Sequence, residues 1–286
     1  MTHCPQETNS QNVLVKKVSP AIAGFFFILV QMIITSAQYF QEPPQKIISI
    51  VPSQTELLFY FGLNKEVIGI TKFCVHPKEW FTIKTRVGGT KNLNIDLIKK
   101  LHPNLIIANK EENVREQIEE LAKDIDVWVT DVNNLEDALK MIKDIGAIIH
   151  KSDKADRLIK EIKTEFSQLL TINHKLQTAY LIWQNPYMTA GGDTFINDMM
   201  KYCGLENIFE NKTRYPELTI EQLSTANCQL ILLSSEPYPF AQKHVDELQQ
   251  LLPGKKIILV DGEMFSWYGS RLLKAPSYFK SIMKSE

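Results

Sequence analysis

The feature that most constrains this chain is an internal repeat. Leu93-Asn94-Ile95-Asp96-Leu97-Ile98, followed by His102-Pro103-Asn104-Leu105-Ile106-Ile107, aligns without gaps to Leu218-Thr219-Ile220-Glu221-Gln222-Leu223, followed by Asn227-Cys228-Gln229-Leu230-Ile231-Leu232. Each copy reads as a short capped helix leading into a buried strand. Any two βα units share an apolar pattern, but here cap residue, acid and strand all fall in register. A duplicated α/β unit must bury its apolar face against its own neighbours, so the repeat predicts two similar lobes rather than one continuous sheet.

The rest of the chain agrees with that frame. Lys46–Val51, Val67–Ile70, Leu105–Ala108 and Val127–Thr130 read as strands alternating with helices, the pattern of βα units and a mainly parallel sheet. Ser53 and Glu56 have the spacing of a capping box for the first helix. Thr71–Lys91 reads as irregular. From Leu135 to about Leu170 the pattern is helical, and Ala155, Leu158, Ile159, Ile162, Phe166 and Leu169 give one stripe behind a Ser152 start signal. Alternation then resumes with strands at Thr178–Trp183, Leu230–Leu233 and Lys256–Val260 and a final helix from about Tyr268. The expected fold is α/β: two Rossmann-like lobes with mainly parallel sheets joined by a single long helix. The expected division is a leader over residues 1–45, lobes over 46–150 and 173–286, and a connecting helix over 151–172.

The leader has its own chemistry. Lys16 and Lys17 precede an apolar run from Ala21 to Ile34, and Thr35, Ser36 and Ala37 follow. A basic patch, an apolar core and small residues form a secretory signal, and the run is shorter than the ~20 residues of a membrane span. Export to the periplasm is the expectation; anchoring by the same segment, or a cytoplasmic chain, are the alternatives. Cys4, Cys74, Cys203 and Cys228 fit no metal-finger spacing and are expected as free thiols.

A net charge of −1 gives no basic field for nucleic acid. No phosphate loop, H-E-x-x-H or G-x-S-x-G motif is present, so no catalytic residue, cofactor or resident metal is expected. Cys74 and His76 could approach a metal, but two ligands do not close a site. What stands out is the placement of aromatic residues in irregular segments: Phe73, Trp183, Tyr187, Tyr215, Phe265, Trp267 and Tyr268. Loop rings facing one another across a cleft would grip a large, flat, partly apolar ligand, with Arg271 pairing to its polar groups; covering lobe ends is the plainer role. Asp96 and Glu221 each fall in a first helical turn, where the helix dipole stabilises them; two equivalent acids also make a paired docking surface.

Five stretches resemble the vitamin B12-binding, helical-backbone metal-receptor family of ABC-importer binding proteins. They are Ile47–Glu56, Gly88–Asp96, Pro103–Ala108, Tyr202–Phe209 and Pro216–Leu223. The resemblance implies a ligand between two lobes that close little, and docking of Asp96 and Glu221 onto arginines of a membrane permease. It places Phe73, Thr90, Met188 and Tyr215 at the ring-lined positions of the cleft. Thr90 and Met188 depart from the aromatic pattern, which bears on the identity of the ligand more than on binding itself. A late cysteine that could partner Cys203 in the family has no counterpart here. The implied function is capture of cobalamin or another metal chelate by a monomer. A ferric-siderophore or haem receptor, with Tyr215 as axial ligand, is the nearer alternative; a non-exported sensor or small metallo-enzyme is the more distant one.

Overall fold

The computed structural model describes residues 33–34, 40–169 and 176–284. The first half contains β1 (Ile33–Ile34), β2 (Ile47–Ser49), α1 (Pro52–Tyr60), β3 (Val67–Ile70), α2 (Lys78–Ile83), β4 (Thr85–Arg86), α3 (Ile95–Leu101), β5 (Leu105–Asn109), α4 (Arg115–Leu121) and β6 (Val127–Thr130). Its strands form one sheet in the order β1-β6-β5-β2-β3-β4, parallel throughout. Every residue of β5 is buried, as expected of an apolar run covered on both faces by crossover helices.

Two helices follow, α5 (Leu135–Ile148) and α6 (Ser152–Ser167). The second half contains β7 (Leu176–Trp183), β8 (Tyr187–Thr189), α7 (Phe195–Tyr202), β9 (Leu205–Asn207), β10 (Glu217–Leu218), α8 (Ile220–Thr225), β11 (Leu230–Ser234), α9 (Gln242–Leu251), β12 (Lys256–Val260), α10 (Glu263–Ser266) and α11 (Ala275–Lys284). Its sheet runs β10-β8-β7-β11-β12, with β9 beside the start of β7. The β7-β11-β12 core is parallel, and β8 and β10 are antiparallel additions.

The repeat is realised in both halves. Asn94 caps α3 by accepting the Leu97 N–H at 3.0 Å, and Thr219 caps α8 by accepting the Gln222 N–H at 3.2 Å. Each helix then feeds a fully buried central strand, β5 or β11. The predicted stripe on α6 is buried at Ala155, Leu158, Ile162 and Phe166. At ~1.5 Å per residue α6 is ~24 Å long. Near its start Lys154 donates to the Tyr60 carbonyl of α1, and near its end Phe166 packs edge-on against Tyr202 of α7. One apolar cluster runs without a break from Ile47 and Leu57 through Ile142 and Leu158 to Tyr180 and Phe265. The halves therefore share a core along this spine, and each keeps a smaller cluster on its sheet's outer face.

Several local expectations are corrected. Ser53 and Glu56 form no capping box: Val51 is the cap and Pro52 opens α1, its fixed φ suiting the first helical position. Glu56 is engaged elsewhere, as shown below. Ser152 lies inside α6, which starts without a side-chain cap. Thr71–Lys91 contains α2 and the exposed two-residue β4, too short to show a period. The final helix is not continuous from Tyr268: a break at Gly269 (φ +142°) separates α10 from a 3-10 turn at Ser270–Leu273 and from α11. A Cβ at Gly269 would stand 3.1 Å from the Ser53 carbonyl oxygen, so glycine there admits close approach of the second half's loop to α1.

Helices α5 and α6 approach closely between Gly146 and Ala155, where an added Cβ would fall 2.4 Å from the Ala155 Cβ. Gly146→Ala gains about 1 kcal/mol of helix propensity but must spread two packed helices, at about 1–3 kcal/mol. The expected net effect is a loss of stability in urea denaturation. Adding Ala155→Gly should restore part of it, so the pair should be less than additive.

Candidate functional site

In parallel α/β sheets the loops after the carboxyl ends of the strands bind ligands, because the backbone there is free of crossover packing. Here those ends from the two halves meet. The loops after β5 and β6 bring Lys110, Glu111, Asp131 and Asn133; the segment entering α7, with Arg214 and Tyr215, comes from the second half. Together they line an open cavity of about 850 Å³.

Its walls are polar and tied across the gap. Arg214 Nη2 lies 2.6 Å from Glu111 and its Nη1 4.0 Å from Asp193. Lys110 pairs with Asp131 at 2.7 Å. The Leu135 N–H, in the first turn of α5, donates to Asp198 Oδ2 of α7 at 2.8 Å. Tyr215 packs beside the Arg214 guanidinium, and burial together with Glu111 holds its phenol well above the usual tyrosine range.

A second set of bridges lies along α1. Arg271, 7% exposed, forms a bidentate pair with Glu56 of the first half (2.8 and 3.0 Å) and also grips Glu263. Glu263 in turn meets His76 Nε2 of the first half at 3.1 Å. Trp267 lies against the Arg271 guanidinium and the His76 ring, and its Nε1 donates to Glu236 at 2.8 Å. The Tyr268 hydroxyl donates to Glu112 at 3.4 Å. Glu112 is pushed up to about 7, chiefly by burial and then by the charges of Glu236 and Glu111; burial raises Glu236 as well.

These positions redistribute the residues singled out in the sequence. Tyr215 lines the cavity. Phe73, on the loop after β3, is 51% exposed, with the Lys72 ammonium 5.1 Å above its ring. Trp183 ends β7, 40% exposed and edge-on to Tyr238; Tyr187 and Met188 lie next to it on β8. The Thr90 carbonyl accepts from Asn113. Phe265 is instead fully buried against Tyr180 and Phe279. Trp267, Tyr268 and Arg271 are buried too, joining the halves rather than presenting open ring faces. Asp96 and Glu221 are both exposed in their first turns. The acids Glu111, Glu112, Asp193, Asp198 and Glu236 were not anticipated; for Glu111, Glu112 and Glu236 the available signal was their place just after apolar strands.

Cys74 sits in a buried ring of Thr55, Thr71 and Ser49, and burial pushes its thiol up to about 11, while His76 is engaged with Glu263. Cys74, Cys203 and Cys228 carry no disulfide. Among the described residues no group of three or more His, Cys, Asp or Glu could hold a metal, and no helix is long and apolar enough to cross a membrane.

Two lobes of this kind, joined by a helix and meeting at a shared cleft, define a class of ligand carriers, and the chain belongs to the periplasmic binding protein family, whose profile matches residues 47–252. It is thereby a binding protein rather than an enzyme. It is 25% identical to a vitamin B12-binding protein of Pectobacterium carotovorum over 89% of this chain and 93% of that one. It is 27% identical to an uncharacterized ABC transporter substrate-binding lipoprotein of Bacillus subtilis over 82% and 78%. The periplasmic vitamin B12 binding protein of Vibrio cholerae has the same fold, with a TM-score of 0.71 at 20% identity, covering 85% of this chain and 99% of that one. So does a periplasmic haem-binding protein of Roseiflexus sp. RS-1, with a TM-score of 0.71 at 18% identity over 83% and 98%.

Because the Glu112 carboxyl titrates near 7 when folded and near ~4.3 when unfolded, ionising it opposes folding. Its contribution to stability is fully present below the unfolded value and is lost as pH rises through the folded one. Glu112→Gln should leave stability at pH 4 nearly unchanged and raise it at pH 8 by roughly 1–2 kcal/mol after solvent screening. Denaturant midpoints at the two pH values measure this.

Proposed function

We propose that this protein is the substrate-binding component of an ABC importer and that it carries cobalamin or a related corrinoid or metal chelate in the cleft between its halves. The observation that carries the reading is a cavity walled by both halves, in a chain whose vitamin B12-binding relative matches it nearly end to end. Residues 46–150 and 173–286 act as the two lobes and 151–172 as their connector. The ion pairs and shared core favour a fixed separation, so the ligand enters with little closure. Exposed Phe73 and Trp183, with Tyr187, Met188 and Tyr215, cover its apolar faces at ~25 cal/mol per Å² buried. Thr90 flanks Phe73 on the same rim, and Trp267, Tyr268, Phe265 and Arg271 support the floor from below.

Asp96 and Glu221, exposed at equivalent places in the two halves, are the docking points for cations on the permease. The chain works as a monomer outside the cytoplasm, without nucleic acid, exported by its apolar segment at 21–34. That segment lies outside the described residues except for Ile33–Ile34.

Haem is the second reading, favoured by the haem-binding protein of the same fold. An axial phenolate at Tyr215 would have to form against burial and against Glu111.

Absorbance titration of residues 40–286 with cobalamin should show saturable binding, and Trp183→Ala should weaken it about tenfold or more. Failure to take up any corrinoid, haem or ferric siderophore would end the proposal. Reversing charge at both docking acids, Asp96→Lys with Glu221→Lys, should abolish uptake by cells while leaving ligand affinity unchanged; retained uptake would remove the docking role.

A further inference from the structure

The cations that line the cavity are already committed to the protein's own carboxylates: Arg214 to Glu111 and Asp193, Lys110 to Asp131, and Lys201 to Glu210. Two exposed lysines on the adjoining rim of the first half are not. Among the described residues neither Lys72 nor Lys91 makes an ion pair; Lys72 sits over the Phe73 ring and Lys91 donates to the Glu111 carbonyl. The pull of Lys91 on the Glu112 carboxyl is outweighed by burial and by the charges of Glu236 and Glu111.

Both lysines stand on a fixed scaffold. The Lys72 N–H donates to the Gly88 carbonyl at 2.8 Å, and its ammonium lies 5.1 Å from the Phe73 ring centroid. A Cβ at Gly89 would stand 3.3 Å from Lys72 Cε and 3.2 Å from Phe73 Cε2, so the two side chains lie together over that glycine. Two residues on, Lys91 sits in a turn closed by N–H to carbonyl bonds in both directions between Gly89 and Asn92, at 2.8 and 3.3 Å. Buried Asn113 clamps the turn through the Thr90 carbonyl, and Gln117 through the Lys91 carbonyl, each at 3.1 Å. The Lys91 ammonium then reaches the Glu111 carbonyl at 2.7 Å, and Glu111 is a wall of the cavity. The strip from Phe73 to Lys91 thus continues the cavity's rim. Exposed lysines are ordinarily solvated and unspecific; here a braced turn holds two of them beside an exposed ring, which lowers the cost of ordering them on a ligand.

We propose that Lys72 and Lys91 form an anion subsite beside the Phe73 ring, which receives a carboxylate or phosphodiester carried on the edge of the captured chelate. The ring covers part of the macrocycle's face while the ammonium groups donate to anionic oxygens at its periphery. The inference rests on the chelate-capture reading and narrows it to acidic chelates.

The test measures binding of two ligand pairs by absorbance titration under one solvent condition. Haemin and its dimethyl ester differ only in two carboxylates; cobalamin and dicyanocobinamide differ in the phosphodiester-linked nucleotide. Wild type is compared with Lys72→Gln, Lys91→Gln and the double variant, and near-ultraviolet circular dichroism checks the fold. The double variant should weaken the acidic member of a pair by about tenfold, each single variant by less, and the neutral member should bind all four proteins alike. High salt should erode the wild-type preference for the acidic member in the same way. Loss confined to haemin assigns the subsite to carboxylates, and loss confined to cobalamin assigns it to the phosphodiester. Acidic ligands that bind the double variant as tightly as wild type, or neutral ones that weaken equally, overturn the subsite and leave the capture reading standing. Binding of none of the four ligands to wild type overturns both.

Discussion

A guanidinium cannot be left alone in a protein interior, and the burial of Arg271 therefore dictates much else. With Glu56 on one side and Glu263 on the other, its charge is neutralised only when α1 of the first half and the loop after β12 of the second stand in one relation. Such a pair adds little net stability compared with apolar packing, yet removing one partner from a buried pair costs about 3–5 kcal/mol. Its effect is to penalise every other arrangement of the halves. The Gly269 approach to Ser53, the Trp267 ring over Arg271 and the His76–Glu263 contact all depend on the same placement. The shape of the cleft follows from it.

The arrangement also explains how an open cavity coexists with a shared core. Along α5 and α6 the halves are fused by apolar contacts, while at the strand ends they meet through ions and hydrogen bonds. Polar contacts can be exchanged with water or a ligand at small net cost, whereas the apolar spine cannot. A binding site therefore belongs on the polar side.

Much of this was legible in the sequence because it depends on local period and capping. Asn94 and Thr219 announced α3 and α8, the runs Leu105–Ala108 and Leu230–Leu233 announced the central strands, and the stripe from Ala155 to Phe166 announced α6. The failures have physical causes. Strands β8, β9 and β10 have three residues or fewer and no periodicity to read. Ser53 looks like a cap because the motif is local, but its partner Glu56 is claimed by a residue far along the chain. The rings from Phe265 to Tyr268 lie in a segment broken by Gly269, and nothing local distinguishes a ring turned outward from one folded under. Phe73, in a loop, and Trp183, at the end of β7, did remain exposed. The acids Glu111, Glu112 and Glu236 were hardest to foresee, since an acid after a strand is usually a solvated loop residue, and nothing local marks one that a residue far along the chain will reach.

Asp198 completes the start of α5 from the other half of the molecule. A lone N-terminal fragment ending after α5 would expose that amide to water and lose the carboxylate that favours its helix dipole. The second half thus supplies a finishing element that the first lacks, and a unit that reads as one copy of a repeat is not a self-sufficient module.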